Sequence, residues 1–164
     1  KDSGTVRQYY DQGYIDDFVA GNTIATMAWS GDVLYYKVWL GYSDFEFIFP
    51  EGGALIWQDN MLVPVGAPNA PGAAQVMDWY YDPTYAAMLT EWNAYVSPVP
   101  AGGEIVQADA DAAKGGNKEV LETIATSPFV FPTPELEANL YNYRVLEGEE
   151  IEVWNDLFNP IFIS

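Results

Sequence analysis

The chain has 164 residues and a mass of 18.2 kDa, and its 24 acidic and 6 basic side chains give a formal charge of −18. It holds no histidine and no cysteine, which excludes Ser-His-Asp and Cys-His catalysis, thiolate or imidazole zinc sites, iron–sulfur clusters and disulfides. The cations Lys1, Arg7, Lys37, Lys114, Lys118 and Arg144 are scattered, so there is no basic stripe for a phosphate backbone, and nucleic acid is not an expected partner.

At 49% apolar the chain can build one core, and a length of this order predicts a single unit over 1–164. Ile15, Phe18 and Val19 predict a short helix closed by Gly21. Residues 23–29 (TIATMAW) read as a buried strand, followed by a turn at Ser30-Gly31-Asp32 and a helix from Val33 to Trp39. Short strands are predicted at 45–49, 54–57 and 60–63, punctuated by Pro50, Gly52-Gly53 and Asp59-Asn60.

Farther along, Asn69 or Ala70 caps a helix with Pro71 in its first turn, and Ala73, Val76, Met77 and Tyr80 share one face. Asp82-Pro83 ends it and opens a second helix reaching about Trp92. Residues 98–116 are the loosest stretch, rich in Pro, Gly, Ala and Asp. Thr133-Pro134 repeats the capping device, and a last helix carries Ile151, Trp154 and Phe158 on one stripe. Interleaved strands and helices give an α/β class, in which ligands sit at the carboxyl ends of strands.

Several chemistries fail on their motifs. Lys114-Gly115-Gly116-Asn117-Lys118 is followed by Glu119 rather than Ser or Thr, so there is no Walker A loop, and no G-x-G-x-x-G occurs. Asp109 and Asp111 begin like a calcium loop, but Ala113, Lys114 and Val120 stand where an oxygen ligand, Gly and Glu are required. Asp16-Asp17 and Glu149-Glu150 are adjacent pairs whose side chains diverge, and Asp59 and Glu91 meet only if tertiary structure joins them. No cofactor and no catalytic residue is expected.

Aromatic residues make up 16% of the chain, more than a core of this size requires. The informative segments are Met27-Ala28-Trp29-Ser30-Gly31-Asp32, Glu51-Gly52-Gly53-Ala54-Leu55-Ile56-Trp57-Gln58-Asp59 and Tyr95-Val96-Ser97-Pro98. In order and spacing they resemble the bacterial spermidine/putrescine substrate-binding proteins of ABC importers. The loop at 64–72 (PVGAPNAPG) and Met77-Asp78-Trp79-Tyr80-Tyr81-Asp82-Pro83 look like that family's strand-to-helix loop and helix pair. The resemblance covers about residues 14–100 and is looser beyond.

It implies a type II periplasmic-binding-protein-like fold, of which this chain is mainly the C-terminal lobe, with the N-terminal portion of the protein missing. Because the family's backbone crosses between lobes more than once, the chain is expected to include segments of both. The resemblance further implies that Trp29 and Trp57 wall a polyamine channel, that Asp59 meets an ammonium group and that Tyr95 lines the pocket. Ser30, Asp32 and Gln58 follow as secondary candidates, and Asn142 or Tyr143 as a polar contribution near the C terminus. A membrane permease is the implied partner, and the location is periplasmic or extracellular, free or tethered by a lipid. The opening Lys-Asp-Ser-Gly, with neither initiator Met nor signal pattern, reads as an excised or processed piece.

Without the resemblance, Trp29 closes a buried strand and fits a core, while Trp57 fits core or cleft equally. Asp59 is then a turn residue, and Tyr95 before Ser-Pro a packing residue. Two rival functions stay open. One is the same architecture binding another organic cation or small solute. The other is a carbohydrate-binding or glycoside-cleaving domain built on tryptophan platforms and two carboxylates.

Overall fold

The computed structural model describes residues 3–10 and 12–163. Its elements in chain order are α1 (Tyr14–Val19), α2 (Ser30–Val38), β1 (Ala54–Leu55), α3 (Ala70–Tyr80), α4 (Pro83–Asn93), α5 (Gly102–Ala112), α6 (Gly116–Thr126), α7 (Pro134–Glu137), β2 (Leu140–Tyr141) and α8 (Glu149–Ile163). Contacts group the chain into two compact units. The first comprises Lys1–Met27, Leu55–Trp57 and Tyr141–Ser164, and the second Ala28–Ala54 and Gln58–Leu140. Both units are discontinuous in sequence, where the sequence predicts one unit throughout. No helix of the described residues is long and apolar enough to cross a membrane.

The helix starts follow local chemistry. The Asn69 side chain accepts the Gly72 N–H at 3.1 Å, and Pro71 supplies a fixed φ where an N–H would be unsatisfied. A Cβ on Gly72 would stand 2.3 Å from the Asn69 amide nitrogen, so this cap requires glycine there. Asp82 caps α4 by accepting the Thr84 N–H at 2.9 Å, and Thr133 caps α7 through Leu136 N–H at 3.3 Å. The α4 helix ends at Ala94, which adopts the left-handed conformation (φ 59°) although it carries a Cβ. Complete burial of Ala94 among Leu34, Ala87, Val106, Ile124 and Val130 holds it there.

That cluster is the core of the second unit, and α5 and α6 supply much of it. Val106 and Ala110 of α5 are fully buried, as is Ile124 of α6. Gly102 is buried where α5 meets α4, and a Cβ there would make ordinary contact with the Ala87 nitrogen at 3.4 Å. The expectation of a loose stretch over 98–116 is therefore corrected. Residues 102–112 form α5, whose Val106 and Ala110 are buried, and α6 begins at Gly116.

The strand expectations fare worse. Residues 23–29, 45–49 and 60–63 form no regular strand, and 54–57 shortens to Ala54–Leu55. Within 23–29, Ile24 and Met27 are exposed, so the segment is not buried either. Apolar, β-branched sequence makes a strand only where a neighbour supplies the other half of the ladder. Here the described pairing is β1 with β2: Ala54 N–H donates to Asn139 O at 3.1 Å and Ile56 N–H to Tyr141 O at 3.0 Å. Both strands advance together, so the pair is parallel. Among the described residues the α/β expectation reduces to a mainly helical chain with one short parallel pair. The helix beginning α2 also starts earlier than expected, at Ser30 rather than Val33.

Candidate functional site

The start of α2 is the place where sequence candidates converge. Trp29 is its N-cap residue, with extended backbone (ψ 133°), and its carbonyl accepts the Val33 N–H at 3.2 Å. Ser30 and Gly31 follow, and Asp32 occupies the first turn, where the positive helix end favours a carboxylate. Gly31 is buried beneath the ring of Tyr95: a Cβ at Gly31 would lie 2.2 Å from Tyr95 Cδ2. The phenol reaches over the glycine and donates its O–H to Asp32 Oδ1 at 2.5 Å.

Tyr95 is itself fixed from behind. Its backbone N–H donates to Asn93 Oδ1 at 3.0 Å, and Ala94 before it is locked in the core. Two residues on, the Ser97 N–H donates to the Val130 carbonyl at 3.3 Å. Beside it a crevice runs along α4, lined by apolar Ala86, Leu89 and Val96 with Thr90, Asn93 and Tyr95. Trp29 is 38% exposed, which takes its indole out of the core and corrects the buried-strand reading of that residue.

The second unit thus brings together Trp29, Asp32 and Tyr95, two leading candidates and one secondary. Asp59 belongs to the same unit and is exposed, next to a turn closed by Asn60 Nδ2 donating to Gln58 O at 3.0 Å. Trp57 belongs to the first unit, where it is 40% exposed and follows Ile56 of the parallel pair. Asn142 and Tyr143 are exposed in the first unit. The sequence ranks Asp32 below Asp59, and the structure supplies the reason to raise it. Only tertiary folding puts a phenol 63 residues away onto that carboxylate.

Two further carboxylates stand out electrostatically. In the second unit, Glu91 of α4 is paired with Asp109 of α5, not with Asp59, and its Oε1 is buried without a hydrogen-bond donor. Burial, then the charge of Asp109, push the Glu91 carboxyl up to about 7. In the first unit, Asp17 accepts from the Tyr10 hydroxyl, from Asn22 Nδ2 at 2.6 Å and from Arg7 Nε at 2.8 Å. These donors, Tyr10 foremost, hold Asp17 below the usual carboxylate range. The Glu91–Asp109 contact is direct, whereas glycoside hydrolysis sets its two carboxyls about 5–9.5 Å apart across a bond. Among the described residues no three acidic groups converge as a metal cluster.

The family described as bacterial extracellular solute-binding protein matches residues 3–121. The putrescine-binding periplasmic protein PotF of Escherichia coli is 22% identical over 144 residues, covering 85% of this chain and 35% of the relative. A spermidine/putrescine-binding periplasmic protein of the same organism is 22% identical over 109 residues, 60% of this chain and 31% of the relative. Spermidine/putrescine-binding periplasmic protein 1 of Haemophilus influenzae is 20% identical over 146 residues, 89% of this chain and 36% of the relative. The chain therefore spans about a third of the length of these curated relatives. No solved structure matches it significantly. Matched over well more than half of its residues, the chain belongs to the bacterial extracellular solute-binding proteins.

Proposed function

We propose that this chain is the C-terminal portion of a two-lobe, non-catalytic solute-binding protein that carries polyamines to the membrane permease of an ABC importer. The observation that carries the reading is the group at the start of α2: an exposed indole, a carboxylate and a phenol held on one helix turn. A polyamine is a row of ammonium charges separated by methylenes. Aromatic faces cover the methylenes and attract the charge, and a carboxylate anchors one end.

The wider field suits such a guest. The formal charge is −18, and no Lys or Arg occurs between Lys37 and Lys114, the stretch that holds Trp57, Asp59 and Tyr95. A cation is drawn to that stretch and an anion repelled. Asp59, in the same unit as the start of α2, is a second proposed anchor, and Trp57 is a proposed polyamine contact within the first unit. The two discontinuous units support reading the chain as segments of both lobes. Kinship with proteins named as periplasmic supports a location outside the cytoplasmic membrane, with a lipid tether as one mode of retention.

Affinity of this chain alone follows from its inventory. Two aromatic contacts and one charge-assisted hydrogen bond amount to roughly 4 kcal/mol, of the same order as the cost of association, so this chain alone binds weakly. Calorimetric titration of the 164-residue chain with spermidine, putrescine, a neutral disaccharide and a quaternary ammonium ion tests the reading. Heat with the polyamines and none with the sugar supports it. Heat with the sugar alone, or with the quaternary ion but neither polyamine, overturns it.

A further inference from the structure

We propose that Glu91 of α4 holds a proton that it shares with Asp109 of α5, and that release of this proton is a pH-sensitive catch on α2, the helix that presents Trp29 and Asp32. An ionised carboxylate only accepts hydrogen bonds. Glu91 Oε1 is buried, no donor reaches it, and the polar group in hydrogen-bonding contact with Glu91 is another carboxyl. With both groups ionised the pair repels and Oε1 stays unsatisfied. With one proton on the pair the repulsion is relieved, and Glu91 gains an O–H donor that an ionised carboxylate lacks.

Among the described residues no cation offsets the Asp109 charge at Glu91. Of the lysines on elements packed against α4, Lys37 of α2 is held by Glu46 at 2.8 Å and Lys118 of α6 faces Glu122 at 3.5 Å. Of the other acids on these elements, Asp32 is taken up by Tyr95, Glu122 of α6 faces Lys118, and Asp78 of α3, Glu104 and Asp111 of α5 and Glu119 of α6 add only negative charge. Burial and the Asp109 charge act together to bring the Glu91 titration near neutrality.

The consequence runs through α2. The backbone carbonyl of Glu91 accepts the indole N–H of Trp39, the C-cap residue of α2, at 3.2 Å. The other end of the same helix is held by Tyr95 through Asp32 at 2.5 Å. Residues 91–95, the end of α4 and its exit, therefore grip α2 at both ends. Repulsion between Glu91 and Asp109 strains that segment and loosens the grip. The catch does not depend on what the site binds.

Carboxyl and indole NMR of the whole 164-residue chain, followed from roughly pH 4 to roughly pH 9, tests this directly. Glu91 is expected to titrate near neutrality, with its midpoint lowered by about one pH unit in Asp109→Asn. The Trp39 indole N–H resonance follows the same midpoint and the same displacement, and stays constant through this range in Glu91→Gln. Titration of Glu91 together with ordinary carboxylates overturns the proposal. So does a Trp39 resonance that ignores the Glu91 titration. The unsubstituted chain and Asp109→Asn decide the matter even if Glu91→Gln does not fold.

Discussion

Two helices of opposite make-up show how differently this chain stabilises its parts. The α5 helix is composed largely of Gly, Ala and acids, yet Val106 and Ala110 are fully buried and the helix is anchored on α4 and α6. The α8 helix is the more clearly amphipathic in sequence, yet none of residues 149–161 is buried. Its Trp154 and Phe158 stack on each other with centroids 4.8 Å apart, and Glu149, Glu150 and Glu152 suit its positive end. In the second unit the helices are held by each other; in the first, α8 rests on its own turns and local pairs. An apolar stripe thus indicates the face available for packing, not that packing occurs.

Substitutions separate the two regions sharply. The largest effect is expected for Ile124→Ala, which opens a cavity in the α4–α6 core and costs about 2–5 kcal/mol in urea unfolding. Leu157→Ala on α8 is expected to change stability by less than about 0.5 kcal/mol, since Leu157 is 61% exposed. Equal losses for the two variants break the comparison. Next, Gly31→Ala drives a methyl into the Tyr95 ring and is expected to cost about 1–3 kcal/mol. The same variant separates Tyr95 from Asp32, read as a shift of the Tyr95 phenol resonance. An unmoved phenol contradicts the close contact.

The units also differ in the sign of their pH dependence. Glu91 titrates at about 7 in the folded chain, above its ordinary value of 4.5. Its stabilising contribution is therefore complete below about pH 4.5 and is lost as pH rises through 7. Glu91→Gln is expected to flatten that loss and to gain roughly 1 kcal/mol above neutrality, discounted for partial solvent screening. Asp17 is shifted the other way, so its contribution is present above the ordinary carboxylate range and is lost as pH falls through the lowered value. Asp17→Asn is accordingly expected to flatten the acid limb alone. Melting curves taken across pH resolve the two limbs, and a variant acting on the wrong limb overturns the assignment. Smallest of all, Arg144→Ala removes an exposed pair with Glu150 and is expected to cost below about 0.5 kcal/mol.

What was legible in the sequence was what local chemistry decides. Asn69-Ala70-Pro71, Asp82-Pro83 and Thr133-Pro134 each combine a capping side chain with a fixed φ, and each opens a helix. Residues 23–29 misled because a strand needs a partner, and nothing within a segment tells whether one exists. The α5 and α6 helices were hidden because Gly102, Gly103, Gly115 and Gly116 look like loop residues, although all four lie at helix starts. At the site, Trp29 and Tyr95 were named from their motifs, whereas the bond from Tyr95 to Asp32 spans 63 residues and is tertiary. Glu91 drew attention as a carboxylate, but its partner Asp109 lies on a helix that composition concealed.

The central claim is that the start of α2 receives a multiply charged organic cation. Its most direct test is the Trp29 indole resonance during titration of the 164-residue chain with spermidine. The account predicts that this resonance moves together with the Tyr95 ring signals, and that Asp32→Asn weakens the response at least about tenfold, the effect of losing one charge-assisted hydrogen bond. Saturation that leaves Trp29 and Tyr95 unmoved, or a response undiminished in Asp32→Asn, contradicts it.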